Sequence, residues 1–372
     1  MNALQFEWAL EKNIFALQKE LKEKIYYPRR SIGFVVTKPK PREIFAADFR
    51  DRIVHHLFIN QLEKIGERIF IFNSFACRRE KGAHLTIKKL RKLIASVTKN
   101  YQQKAFCAQL DVSGFFTSIN RQILYQILEK EIIKQSQSYQ WKKEMLWLSK
   151  VIVFSQPTKN YLWKGDSRLL KLIPPRKSLF RAKLNCGLPI GNYSSQFFAN
   201  FYLNQLDQYI KRTLKVKHYV RYVDDFILLY PDKEQLKLWT KQISQFLKKE
   251  LDLELNPTKT RIRNLDCGID FLGYFIKPTS LTVRRSVVKR LKAKLYRFNQ
   301  SLKTLDFANQ ETKKAMLDKM LASINSYYGH FCHADSYHLR RSLYEEHFGL
   351  LKRYLKPVDG SFTYFKISDS TS

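Results

Sequence analysis

Two adjacent aspartates, Asp224 and Asp225, interrupt YVRYVDDFILLY (219–230), a stretch otherwise rich in β-branched and aromatic residues. Asp has low strand propensity, and a partly buried carboxylate needs a compensating charge. A hairpin with the pair at its turn accounts for them, because Asp tolerates turn geometry. A bound divalent cation accounts for them equally well, since Mg2+ prefers carboxylate and phosphate oxygens and keeps several waters. A second apolar run, KAFCAQLD (104–111), also ends in a carboxylate, Asp111. Carboxylates from two strand ends could share two metals about 4 Å apart, which would activate a 3′-hydroxyl and stabilise a leaving pyrophosphate.

Charge indicates what such a site would meet. The 372 residues include 67 Lys and Arg against 33 Asp and Glu, a net charge of +34. That excess points to a polyanion, nucleic acid above all; a basic enzyme that binds none is the plainer reading. Hydrophobic residues at 44% and aromatics at 14% supply a buried core, which excludes disorder for most of the chain. The length suggests two to three domains. No window holds the roughly 18 apolar residues of a membrane span, and MNALQFEWALEKN lacks the basic-then-apolar layout of a signal peptide. Five widely spaced cysteines without a CxxC argue against a disulfide framework and for a reducing cytoplasm. Without a Gly-rich phosphate loop or a G-x-S-x-G elbow, NTPase and serine hydrolase chemistry have no support.

Periodicity predicts an amphipathic helix over 3–25 and a Pro-punctuated hairpin after it. Helices follow at 50–71 and 84–98, a buried strand at 104–111, and helices at 120–135 and 139–153. Residues 155–185 read as a basic, irregular insertion. A helix is expected at 195–214, a hairpin at 219–230, a helix at 233–250, β structure at 268–285, and basic helices from 286 to 356. The tail from Pro357 reads as loose.

The motifs then fall into a known order. LDVSGFFTSI (110–119), GLPIGNYSSQFFANFYLNQLD (187–207), YVDD (222–225), LELNPTKTRI (253–262) and DFLGYFI (270–276) resemble motifs A to E of reverse transcriptases. KPKPREI, DFRDRIVHH and SFACRREKGAH (74–84) resemble the finger motifs upstream. The resemblance covers roughly residues 37–350. Where most reverse transcriptases read Q-G-x-x-x-S-P in motif B, this chain reads I-G-x-x-x-S-Q from Ile190 to Gln196. That variant, with YYGHFCHADSYHLRRSL (327–343), resembles the enzymes of diversity-generating retroelements, whose relatives include phage-defence reverse transcriptases.

The resemblance implies an α+β right-hand polymerase. An N-terminal helix and fingers would occupy 1–100, the palm (an antiparallel sheet backed by helices) 101–280, a helical thumb 281–356, and the loose tail 357–372. Asp111, Asp224 and Asp225, with the carbonyl of Val112, would hold two Mg2+ ions. Lys259 would protonate pyrophosphate, or else be a surface lysine beside a turn. Arg78 and Lys81 would grip the triphosphate, with Lys38 and Arg42 as weaker candidates; each could instead be a general RNA contact. Phe116 matches the steric gate that excludes a ribose 2′-hydroxyl, while Phe115, on the opposite face of an extended strand, would be core. Ile190 stands where a Gln usually checks pairing, which implies error-prone copying, chiefly opposite template adenines. Gly191 would let the backbone approach the nucleotide, and Ser195 would cap the next helix. Phe271, Leu272 and Gly273 would form the primer grip. His330, Cys332, His333 and His338 suggest zinc, but their spacing favours packing and RNA contact.

The function implied is RNA-directed DNA synthesis on a structured cognate non-coding RNA from a DNA or RNA primer, using dNTPs, in the cytoplasm and away from membranes. A small basic accessory protein or a second reverse transcriptase could take part. Phage defence with a dedicated RNA, a non-catalytic RNA-binding scaffold and a two-metal nuclease remain alternatives.

Overall fold

A computed structural model describes residues 3–303 and 310–368. The chain divides into two compact units. One takes the residues up to Leu93 together with Ala105–Arg263; the other takes Ile94–Lys104 and the residues from Asn264 onward.

In the first unit, the expected opening helix is two: α1 (Ala3–Glu7) and α2 (Leu10–Lys22). The break turns Phe6 inward onto Phe49, and the Asn13 amide donates to the Phe6 carbonyl at 2.8 Å. The Pro-punctuated stretch forms an antiparallel hairpin, β1 (Ser31–Val36) with β2 (Arg42–Ala46). Asp48 caps α3 (Phe49–Ile69) by accepting from the Arg50 amide at 3.1 Å, and α4 spans Ala83–Val97.

Next come β3 (Phe106–Asp111), a single turn α5 (Phe115–Ser118), α6 (Arg121–Ile133) and α7 (Tyr139–Val153). Phe115 and Phe116 were expected on a strand. They lie instead on one helical turn, because Gly114 at φ +54° reverses the chain directly after the strand. The 155–185 insertion is less irregular than its composition suggests. Its β4 (Tyr161–Trp163) joins β1 in parallel, and short 3-10 turns follow.

Helix α8 runs Tyr193–Gln208 and continues as one π-turn. Its N-cap is Asn192, so Ser195 lies within the first turn and is not the cap. The β-rich run is a hairpin, β5 (His218–Tyr222) with β6 (Asp225–Tyr230), followed by α9 (Lys233–Leu251). With β7 (Arg261–Asn264) these strands build a sheet in the order β5-β6-β3-β7. Leu110, Phe226, Leu228 and Tyr219 from the sheet share one apolar core with Phe198, Tyr202 and Leu206 of α8 and with Ile243 and Leu247 of α9. The sheet is therefore pinned by helices, which leaves its strand ends free to carry polar groups.

The second unit begins with a meander, β8 (Ile269–Phe271), β9 (Tyr274–Ile276) and β10 (Leu281–Val283). Helices α10 (Arg285–Leu302), α11 (Gln310–Phe331) and α12 (Tyr337–His347) follow. The meander packs with these helices: Val283, Val287, Leu291, Ile324 and Tyr328 share a core, and Asp335 Oδ2 accepts from the Leu281 amide at 2.9 Å. The unit boundary thus precedes the meander, whereas the motif reading set it at 280. The tail expected to be loose from Pro357 is not loose up to Ser368: β11 (Leu355–Pro357) pairs with β12 (Phe365–Ile367), and Phe365 is fully buried against Tyr328 and Phe348. Its apolar residues are too sparse to show a period, so composition alone made it look free.

Candidate active site

Strand β3 ends at Asp111, which faces Asp225 in register at the start of β6. Tyr222 pairs with Asp225, so Val223 and Asp224 form a two-residue turn. Val223 sits at φ +55°, a left-handed conformation that costs a β-branched residue most. Arg221 holds it there. Its Nη1 donates to the Val223 carbonyl at 3.0 Å and to Asn200 Oδ1 at 3.2 Å, while its Nε and Nη2 grip both oxygens of Asp207. Arg221 and Asp207 are both fully buried, and Tyr219 donates to Asp207 as well, at 2.7 Å.

The three aspartates crowd one strand end. Burial and the charge of Asp111 push the Asp224 carboxyl up to about 6. Burial, Asp224 and a hydrogen bond with Asp111 push Asp225 up to about 7. Asp111 is 4% exposed and has fixed partners: Lys259 Nζ donates to Oδ1 at 2.6 Å, and Asn256 Nδ2 donates to Oδ2 at 3.1 Å. Burial works against the charge on Lys259, but Asp111 more than offsets it and holds that pKa above its ordinary value. The 253–262 segment is fastened to the strand by backbone bonds, Asn256 to the Asp111 carbonyl at 2.7 Å and Ser113 to the Glu254 carbonyl at 2.8 Å. No trio of His, Cys, Asp or Glu side chains among the described residues is spaced as a finished metal cage. What is present is a set of hard oxygen donors, two of them short of positive charge.

These groups line a cleft of about 440 Å3. Phe116 and Ile190 contribute to its wall, together with Cys77, Gln196, Tyr222, Lys40, Arg42 and Lys177. The Ile190 carbonyl accepts from the Phe45 amide at 2.8 Å, and Asn192 Oδ1 accepts from the Ala47 amide at 2.9 Å. This loop therefore lies on β2. Gly191 is required there: a Cβ would come within 2.8 Å of Ile44 and 3.1 Å of the Phe45 carbonyl. The close approach expected of Gly191 is made to β2.

The reverse transcriptase (RNA-dependent DNA polymerase) family matches residues 36–276, a span that holds the whole cleft. This chain belongs to that family. Protein YkfC of Escherichia coli K12 is 24% identical over 305 residues, covering 73% of this chain and 72% of that protein. The group II intron-encoded protein LtrA of Lactococcus lactis subsp. cremoris is 24% identical over 353 residues, covering 84% of this chain. The chain spans 57% of the length of that relative. Among solved structures, a telomerase from Candida albicans in complex with a fragment of telomeric RNA superposes at a TM-score of 0.48 and 14% identity, over 85% of this chain and 57% of that one.

As a reverse transcriptase, the protein has the right-hand polymerase fold, and its motifs A, B, C and D meet at the cleft. Phe115 is buried at 2% exposure and Phe116 is half-buried, and both rings border the cleft, on a helical turn rather than a strand. Arg78 and Lys81 are not brought to the cleft. Arg78 is spent on structure: it grips Glu67 at 2.8 and 2.6 Å and donates to the carbonyls of Ile71 and Ser74. Lys81 donates to the Phe72 carbonyl at 2.7 Å and lies over the Phe72 ring, and burial with Arg78 lowers its pKa to about 8. The cations that line the cleft are Lys40, Arg42, Lys177 and Lys259; the motif reading named Lys259 and weighed Arg42 but not Lys40 or Lys177, and Lys38 is not among the lining residues.

In the other unit, Leu272 at φ +48° and Gly273 at φ +90° form the two-residue turn between β8 and β9, and Phe271 is buried. His330 stacks on Tyr274 at 4.2 Å, and Cys332 accepts from Arg340 at 3.4 Å, so these side chains are engaged in packing. Besides Lys40 and Lys177, sequence reasoning passed over Arg221 and Asp207. A lone Arg inside a β-run was the available signal, since a buried cation there demands a buried anion.

Proposed function

We propose that the protein is an Mg2+-dependent RNA-directed DNA polymerase that copies a structured non-coding RNA with reduced fidelity. The observation that carries this reading is the convergence of Asp111, Asp224 and Asp225 at one strand end beneath a basic cleft. Asp111, Asp224, Asp225 and the Val112 carbonyl would hold two ions, which when bound would polarise the primer hydroxyl and stabilise the leaving pyrophosphate. Arg42 and Lys40 are placed to meet the triphosphate, and Lys259 to neutralise charge beside Asp111. The Phe116 ring, held by its neighbours, would bar a ribose 2′-hydroxyl.

Ile190 on the cleft wall supports the error-prone reading, since an apolar side chain offers the pairing partners no hydrogen bond. The same motif B variant supports a role in a diversity-generating retroelement, with phage defence on a dedicated RNA as the alternative. The Leu272-Gly273 turn would press on the primer backbone, and the basic helices of the second unit would hold duplex by its phosphates. A small basic accessory protein or a second reverse transcriptase would assist. All five cysteines are unpaired, which suits a cytoplasmic protein, and no helix among the described residues is long and apolar enough to cross a membrane.

Sequencing cDNA made on a defined RNA template tests the reading. Errors are expected to concentrate opposite template adenines and to fall in Ile190→Gln; an error spectrum unchanged by that substitution contradicts it. Sequencing the RNA that co-purifies separates the retroelement role, marked by a template repeat, from defence.

A further inference from the structure

We propose that Lys177, delivered by the 155–185 insertion, is a third cation of the triphosphate-binding wall. This rests on the polymerase reading above. Lys177 closes a 3-10 turn, Pro175–Lys177, where Pro175 and the preceding Pro174 restrict the backbone, and its own amide donates to the Pro174 carbonyl at 2.8 Å.

The turn is fastened on two sides. On the motif A side, Thr117 Oγ1 donates to the Arg176 carbonyl at 2.6 Å, and that carbonyl lies so close to Gly114 that a Cβ there would come within 2.5 Å of it. On the β2 side, the buried Glu43 carboxylate accepts from the Leu179 amide at 2.9 Å and from Ser178 Oγ at 3.4 Å. A segment rich in exposed cations is thus fastened here as well as at its strand β4, and this second anchor places Lys177 in the cleft wall with Asp111, Lys40, Arg42 and Lys259. Burial, Lys259 and Lys40 lower its pKa while Asp111 opposes them, which records how close the cations stand.

The carboxylates of the cleft are Asp111, Asp224 and Asp225, and of the four cations only Lys259 is ion-paired with one of them; like charges left at the wall beside Lys40, Arg42 and Lys177 are eased when an anion joins them. Asp111 is engaged by Lys259 and Asn256, and no side-chain ion pair joins it to Lys177. The anion of matching chemistry is the polyphosphate of a nucleoside triphosphate, and a preplaced cation binds it with little ordering cost.

Steady-state primer extension on an RNA template tests this, with Lys177→Ala, Lys177→Gln and Lys177→Arg beside wild type and Asp224→Asn as the blank. The KM for dNTP should rise about tenfold in the Ala and Gln variants, with the loss on KM more than on kcat, and Lys177→Arg should recover most of it. Primer–template affinity, measured separately by anisotropy, should hold steady. An active wild type whose KM ignores these substitutions overturns the role of Lys177 alone, and so does a loss confined to primer–template affinity. A wild type no more active than Asp224→Asn overturns the polymerase reading and this role with it.

Discussion

Asp224 and Asp225 show how one position can work against stability and for function. Burial raises both carboxyls well above the ordinary 3.8, helped by Asp111 at Asp224 and by Asp224 and Asp111 at Asp225. The folded chain therefore binds more protons than the unfolded chain between about pH 4 and pH 7, and this contribution to stability falls as pH rises through that window. In EDTA, the melting temperature of wild type relative to Asp225→Asn should drop from about pH 4.5 to about pH 7.5, and Mg2+ at the upper pH should reverse the drop. A difference that grows with pH would contradict the geometry. Lys259 adds nothing to this slope, because its raised pKa keeps it charged throughout.

The hairpin of β5 and β6 is the element on which the site depends. Its turn places Asp224 at the cost of a strained Val223, and Arg221 meets that cost from inside the core. Arg221→Met leaves Asp207 buried with its main partner gone, so urea denaturation should report a loss of about 3–5 kcal/mol. Extension activity should fall further than the folded fraction, because the turn also loses its clamp. Elements with a clear period were legible in advance: the hairpin, α6, α7 and α9 stand within two residues of their expected limits. Three readings failed for identifiable reasons. Phe115 and Phe116 follow a left-handed Gly114 that turns the chain into a helix, Ser195 lies within the first turn of a helix that starts after Asn192, and the break at Trp8–Ala9 serves Phe6. Each is decided by a tertiary neighbour rather than by local pattern. The aspartates were legible because carboxylates among strand formers have few explanations. Lys259 and Arg42 were legible only through their motifs, and Lys40 and Lys177 were not, since one lysine among so many carries no signal until the chain is folded.

At the scale of the whole molecule, the chain is a two-unit reverse transcriptase with the motif cleft built wholly within the first unit. The second unit is closed by its last strand. Phe365→Ala removes a ring held among Tyr328, Tyr344 and Phe348, and should destabilise that unit by about 3–5 kcal/mol in a chemical melt. If residues 357–368 were the free tail their composition suggests, the substitution would be silent. The net charge of +34 then has a direct consequence: affinity for primer–template should fall steeply with salt, as expected for binding through phosphates.

The central claim is that Asp111, Asp224 and Asp225 form one polymerising centre. Its most direct measurement is the rate of dNTP-dependent extension of a primer annealed to RNA in Mg2+, for wild type and for a folded Asp224→Asn. Extension by wild type with a loss of at least about a thousandfold in Asp224→Asn is the predicted result. Equal rates in the two proteins, or no extension by wild type, would contradict it.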